Sequence, residues 1–587
     1  MSSIPAFSTA GYPFSRNVSD LLALGSQFKA LSTQVSTGRV ADTYGELGIR
    51  RSDSLSARAS LSALSGYDAA IASARPRVEL TSVSLTQISK SAATLRSGLT
   101  NSSTDRLTNV GLARAGLDRA LDALNQQFGG QYLFGGRKSD TPPVVSADVL
   151  FGGDATDSAK PLAGLRTMVA EQVKADQGTG TGRLTISSPT STSILVREDA
   201  DAGTRANFGF RLAAAPVASS AFATIRYTPG ILEAAIPRFA QAPTSDDHFR
   251  VVVNKAGGGQ QIYDLSGADL ADISSAAAAA SSLQALVGDG KIATVQSGAP
   301  PGLTASFANL NAPGSFTVDV ASQPARGDRL SIKLVMHDGT TTTLNLQAQS
   351  SADPDSTTDF AIGATPAATA RNLSATLERA LKHASETTLA ASSTIRATQD
   401  LFAGSATPGL APRRIDFSGS TPTYVQTPSP STVIWYRGEA STTDPRSSVV
   451  VRAGATRTVA IGARANEEPI RAALSGFAAL AVSDRSAPTT TSEERWKALA
   501  ARLSALLPPK DAIEAVSNEF ELASSALSEA QAQDRSARAI LQSHLDRLEN
   551  APMEELMVKL VEVQNRLQAS YQVTSMLSKL SLVNYLR

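Results

Sequence analysis

The chain has 587 residues, 42% apolar and 18% charged, with 54 Lys and Arg against 53 Asp and Glu for a net charge of +1. That length predicts three or four compact units rather than one core, and the apolar fraction excludes a wholly disordered chain. Near-neutrality without any Lys/Arg run argues against a nucleic-acid or polyanion binder, whose affinity needs a basic excess.

Residues Met1 to Asn17 carry one basic residue and no apolar run, so no Sec-type signal peptide is expected there. The first helix is predicted from Phe14, Leu21, Phe28 and Val35 at strict sevens, with Leu24 and Leu31 in the second seam position and Gly38 as the stop. A longer run places Leu64, Ile71, Val78, Leu85, Ala92 and Leu99 at sevens, with Pro76 inside it as a kink or boundary. A third run reads Leu107, Val110, Leu117, Leu121, Leu124 and Phe128. The middle changes character to Gly/Ser/Thr/Pro-rich sequence with short alternating strands. Phe249–Asn254 and Gln261–Leu265 flank a glycine turn, and Leu330–Met336 and Thr340–Gln347 flank His337-Asp338-Gly339, so both pairs predict hairpins. Helices are expected around 268–287, 366–392 and 466–482, strands at 433–436 and 448–452, and loops at 421–432 and 483–491.

Helical periodicity returns with Ile513, Phe520, Leu527, Leu541 and Leu548, which Asp534 interrupts once, before Asn550 and Pro552 punctuate the chain. The last run, Met553, Leu556, Leu560, Val563 and Leu567, has 3-4-3-4 spacing and leads into Val573, Met576, Leu577, Leu580, Val583 and Leu586. Seams of period 3.5 ask for partner helices. A terminal helix apolar nearly all round cannot be covered by one partner, so neighbours from other chains are expected. The fold class is therefore α+β: a long coiled-coil-like bundle formed by the two ends, with a large β-rich central insert.

No chemistry rises above background. The absence of cysteine excludes a disulfide scaffold, a thiolate zinc site and a cysteine nucleophile. His248, His337, His383 and His544 are scattered without metal-ligand spacing, so no metal site is expected. Gly257-Gly258-Gly259 lacks the Lys-Ser/Thr of a phosphate loop, and no cofactor motif is present. Arg326-Gly327-Asp328 reads as a chance turn, Asn372-Leu373-Ser374 as a weak glycosylation triplet, Glu467-Glu468 as a solvated face or helix start, and Trp435-Tyr436 as core. No window approaches the roughly 20 apolar residues of a membrane span. An enzyme is not expected.

Three segments carry a family resemblance. Ser36-Thr37-Gly38-Arg39 resembles the turn that closes the first helix of flagellins and hook-associated proteins. Tyr132, Leu133, Phe134, Gly135 and Gly136, in the run from Gly130, resemble a segment of hook-associated protein 3, the hook–filament junction protein. Leu567 to Tyr571 and Leu580 to Leu586 are similar to the flagellin-type C-terminal helix. Filament flagellins usually follow the turn with Asp-Asp-Ala, where this chain runs Val40-Ala41-Asp42-Thr43, which favours the junction protein; the long insert is commoner among flagellins.

The resemblance implies a structural component of the bacterial flagellum, extracellular, exported unprocessed by the flagellar type III channel with the help of an export chaperone. Its partners would be further copies of itself and the neighbouring axial proteins of hook and filament, with no nucleic acid and no membrane. Phe14, Leu21, Leu24, Phe28, Leu31, Val35, Leu560, Val563, Leu567, Val573, Met576, Leu577, Leu580, Val583 and Leu586 would form the assembly interface. The expected division is a polymerisation helix at 1–45, rod halves at 46–140 and 491–551, an exposed insert at 141–490, and a second polymerisation helix at 552–587. A filament flagellin with a large exposed insert, and more distantly a secreted adhesin, are the alternatives.

Overall fold

Heptad seams at both ends and alternating strands between them produce an α+β protein. The computed structural model describes residues 12–100, 105–187, 191–255, 258–425, 431–441, 443–483 and 489–585. In chain order the helices are α1 (Tyr12–Thr37), α2 (Arg51–Thr100), α3 (Arg106–Leu124), α4 (Ala147–Gly152), α5 (Leu165–Gln177), α6 (Ala202–Asn207) and α7 (Ala276–Val287). They continue with α8 (Pro366–Ala384), α9 (Ala390–Ala403), α10 (Glu468–Ala481), α11 (Thr490–Leu506), α12 (Lys510–Glu549) and α13 (Met553–Tyr585). A π-helical turn, Ser385–Leu389, joins α8 to α9. The chain divides into two units: one holds residues 1–75, 451–459 and 524–587, the other 76–450 and 460–523. The division falls at Pro76, inside α2, where the helix nonetheless continues.

In the first unit, α2 and α12 run antiparallel. Ser54 and Arg58 reach Glu549, Asp68 pairs with Arg538, and Arg75 reaches Gln531, so rising numbers on one helix meet falling numbers on the other. Ala57, Ile71 and Ala74 are buried from α2, and Ala530 and Asp534 from α12. The seam break expected at Asp534 is thus a buried carboxylate. Burial and the neighbouring charge of Asp68 push its pKa up, against the opposite pull of Arg538 and Arg457.

In the second unit the same seam continues through Val78, Leu85, Ile88, Ala92 and Leu95 of α2 and Ile513 and Phe520 of α12, and Ser82 and Ser517 hydrogen-bond at 2.9 Å. Close approaches lock the other helices. A Cβ on Gly98 would lie 2.4 Å from Asn109 of α3, and one on Gly116 3.0 Å from the Phe477 ring of α10. Two β cores complete this unit. Strands Ser193–Arg197, Ser315–Val320 and Ala223–Thr228 pair antiparallel. Arg329–Val335 and Thr341–Gln349 form the expected hairpin. With Leu373 and Leu377 of α8, these sheets bury Ile194, Val196, Phe316, Val318, Ile332 and Leu346. The second core lies on His248–Asn254, which pairs with Gln260–Ser266 and with Lys291–Ser297. Phe249, Val251 and Val253 pack there with Leu283 of α7.

Residues 433–436 are not a strand. Tyr436 makes a single bridge with Val144, while Trp435 and Tyr436 are 1% and 3% exposed, as core residues should be. The helix expected at 268–287 starts later, at Ala276 behind the N-cap Ser275. The helix expected at 366–392 is longer, because the π turn lets it run on to Ala403.

Candidate assembly surface

In the first unit α1 packs against α13. The C-terminal end of α1 meets the start of α13, because Arg39 bridges Asn550; the pair is therefore antiparallel. Leu21, Leu24, Phe28, Leu31 and Val35 are half-buried along one face of α1, and Leu560 and Leu567 are half-buried and Val563 buried on α13. These seam residues face within the chain. The outer faces stay apolar: Leu22 is 71% exposed, Val558 70% and Met576 63%. Met557, Val561, Tyr571 and Val573 are exposed as well. At 100° per residue the seam of α13 covers one side and these exposed residues are spread over most of the remaining circumference. The side chains of Phe14, Leu577, Leu580 and Val583, and all of Leu586, lie outside the described residues. Heptad counting had found the seam but not the outer row of Leu22, Val558 and Val561, which an i+1 or i+5 offset from seam positions would have exposed.

The turn after α1 is built from backbone. Gly38 takes φ +71°, a left-handed value glycine adopts without a Cβ penalty, and its N–H donates to Gln34 O at 2.8 Å. Val40 N–H donates to Glu549 O at 2.8 Å and Ala551 N–H to Gly38 O at 3.0 Å. Thr37, Gly38 and Arg39 thereby clamp the α12–α13 junction. Arg58 and Ser54 also bond the Glu549 carboxylate, and the hydrogen bond from Arg58 is the main cause that holds its pKa below the ordinary value.

In the second unit the Tyr132–Gly136 motif also has a structural role. Gln127–Phe128 pairs with Gln131–Tyr132 across Gly129 and Gly130, whose φ values of +59° and +78° are those of a two-residue type I′ hairpin. Leu133 and Phe134 are buried, at 6% and 1% exposure. Gly136 N–H donates to Ala463 O at 3.0 Å, and Ala465 N–H to Phe134 O at 3.0 Å. At Gly135 a Cβ would stand 2.0 Å from Lys138 O, so only glycine fits.

The other groups that the sequence singles out are absorbed by the fold. Asp328 accepts from Ser220 Oγ at 2.6 Å and Ala325 N at 2.8 Å, which uses the Arg326-Gly327-Asp328 turn internally. Asn372 Nδ2 donates to Ala361 O at 2.9 Å. Glu467 pairs with Arg446, and burial raises its pKa, while Glu468 is exposed in the first turn of α10. Gly258 and Gly259 occupy the hairpin turn with positive φ, and Gly257 lies outside the described residues. Among the described residues no group of three or more His, Asp or Glu is arranged to hold a metal ion, and no helix is long and apolar enough to cross a membrane.

No family model matches the chain, and no curated protein matches it. Among solved structures, flagellar hook-associated protein-3 of Legionella pneumophila is 11% identical, covering 87% of this chain and 97% of its own, with a TM-score of 0.21. The flagellar junction protein FlgL of Legionella pneumophila is 15% identical, covering 43% of this chain and 73% of its own, with a TM-score of 0.13. Superpositions at these scores do not establish a shared fold.

Proposed function

We propose that the chain is a structural, non-enzymatic component of the bacterial flagellum, a hook-associated junction protein that joins hook to filament by helical polymerisation of its terminal helices. The observation that carries this reading is the apolar surface left on the paired ends: Leu22, Val558 and Met576 are each more than 60% exposed although the seam between α1 and α13 is already filled. A paired helix with a second apolar face is suited to further helices from neighbouring copies, and head-to-tail packing of that kind builds open helical assemblies. The segment at Tyr132–Gly136 supports the same reading by its resemblance to the junction protein, and the turn at Thr37–Arg39 supports the flagellar part of it by its resemblance to flagellins and hook-associated proteins. Further copies, the adjacent axial proteins and an export chaperone are the proposed partners, and export without a cleaved signal is the proposed route to an extracellular location.

The length of the central region favours a second reading, a filament flagellin with a large exposed insert. Both readings share one test of the assembly surface. Val558→Asp and Leu22→Asp should leave a folded, helical monomer that no longer enters flagella in cells expressing it. Incorporation at the wild-type level by both variants would contradict the assembly role.

A further inference from the structure

In the second unit the pairing of α2 with α12 leaves each helix an outer face. At 100° per residue, Val83 lies about 200° from the buried Leu85 and Leu522 about 200° from the buried Phe520, so both point away from the packed seam. Val83 is 61% exposed and Leu522 71%. The side chains around these two apolar residues carry opposite charge.

The outer face of α2 borders a groove of about 550 Å³, lined by Val83, Thr86, Gln87, Lys90 and Thr94 and, from α3, by Arg119. Thr86 and Thr94 donate their hydroxyls to Ser82 O at 2.9 Å and Lys90 O at 2.8 Å, so those donors are used within the helix. Lys90 and Arg119 are exposed, and no carboxylate lines the groove. Among the described residues neither cation forms an ion pair, whereas Arg114, on the same helix as Arg119, pairs with Asp118 and Asp148. The groove thus presents two uncompensated cations beside an apolar patch at Val83.

The outer face of α12 carries the complement. Asp511, Asn518 and Leu522 fall within about 40° of one another around the helix, and all three are exposed, as is Glu521 beside them. Glu521 forms no ion pair among the described residues, whereas Glu514 pairs with Lys510 and Glu519 with Arg446, each at 3.2 Å. An apolar side chain flanked by acids matches an apolar patch flanked by cations, and opposite potentials of this kind steer encounter and fix register. Both halves sit on one chain, so every copy supplies a groove and a ridge. We propose that the groove on α2 and α3 receives the Leu522 ridge of α12 from a second copy of the chain, with the ridge carboxylates facing Lys90 and Arg119. The inference rests on the reading that copies assemble, and adds to it a contact apart from the outer faces of α1 and α13.

The test is sedimentation velocity of the purified full chain carrying Leu22→Asp and Val558→Asp, which removes the contribution of the terminal helices. This protein should still self-associate below about 1 mM, and less as salt is raised. Lys90→Glu with Arg119→Glu should weaken association by about tenfold or more, and so should Glu514→Lys with Glu521→Lys. Mixed together, the two charge-reversed proteins should associate again, because each groove then meets a ridge of opposite charge. None of the four positions is buried, so circular dichroism should show unchanged helix. The chain has no cysteine, so Gln87→Cys and Asn518→Cys mark the two halves, and a short bis-maleimide should join these two proteins to each other when they are mixed. A monomer at every concentration, reversed proteins that do not restore each other, or no cross-link between the marked halves would each overturn the proposal. Restored association together with flagella that lack the protein supports this contact and counts only against the flagellar reading.

Discussion

Arg58 donates through Nε to the Glu549 carboxylate at 2.9 Å, while the Glu549 carbonyl accepts the Val40 N–H at 2.8 Å. One residue thus ties α2 and the turn after α1 to the end of α12. Glu549→Gln keeps the shape and removes the charge. Because the Arg58 side chain is 46% exposed, solvent screens the pair, and the expected loss is only about 1 kcal/mol at neutral pH. The folded pKa is depressed, so this contribution is present above the unfolded value of about 4.3 and is lost as pH falls through the folded one. Urea unfolding of both proteins across that range checks the prediction: the gap between them should close in acid.

Asp534 behaves in the opposite sense. Its pKa is raised by burial and by Asp68, so it stays protonated in the folded state to a higher pH than in the unfolded chain. Its contribution is fully present below the unfolded value of about 3.9 and is lost as pH rises through the raised one. Asp534→Leu leaves the Asp68–Arg538 pair, at 2.5 Å, in place and fills the seam. It should stabilise the protein by roughly 1–2 kcal/mol at neutral pH and give no gain in acid, as read from urea midpoints at both pH values.

The hairpin motif separates two kinds of glycine. Gly129 has φ +59°, which asparagine tolerates in a type I′ turn, so Gly129→Asn should change stability by less than about 0.5 kcal/mol. Gly135→Ala would put a Cβ 2.0 Å from Lys138 O, and should cost about 2 kcal/mol or more through forced backbone movement. Differential scanning calorimetry of the two variants decides whether this motif is kept for its turn or for its packing.

On the proposed reading the terminal helices carry the polymer contacts and the insert does not. Deleting residues 150–480 should leave incorporation into flagella substantially intact, whereas removing the last twenty residues should abolish it. Fractionation of cells and sheared flagella reads both outcomes, and the reverse pattern would assign the polymer contacts to the insert.

The helical ends were readable because their seams repeat in local sequence: Ile71, Val78, Leu85 and Ala92 are buried at the spacing that predicted them. The two hairpins were readable from their turn residues. What could not be read has a common physical cause. Helix α5 turns Gln172 and Asp176 inward beside Leu165, Met168 and Ala175, so its apolar stripe is interrupted; Asp176 is satisfied by Ser393 and Arg396, more than two hundred residues away. The segment at 433–436 has the composition of a strand, but its backbone makes only isolated bonds, Val433 N–H to Ala163 O at 3.0 Å and Val145 N–H to Trp435 O at 3.1 Å, and no ladder forms. In the candidate surface, the sequence pattern already showed that one partner could not cover α13, with Val573 and Met576 among the expected contacts, whereas the exposed Leu22, Val558 and Val561 emerge only once the seam with α1 is filled.

The most direct test of the flagellar account is immunogold labelling of detached flagella with antibody raised against residues 141–490. Gold confined to one spot at the hook end is the predicted result. Gold along the whole filament would contradict the junction role, and flagella without gold from cells that express the protein would contradict the flagellar account itself.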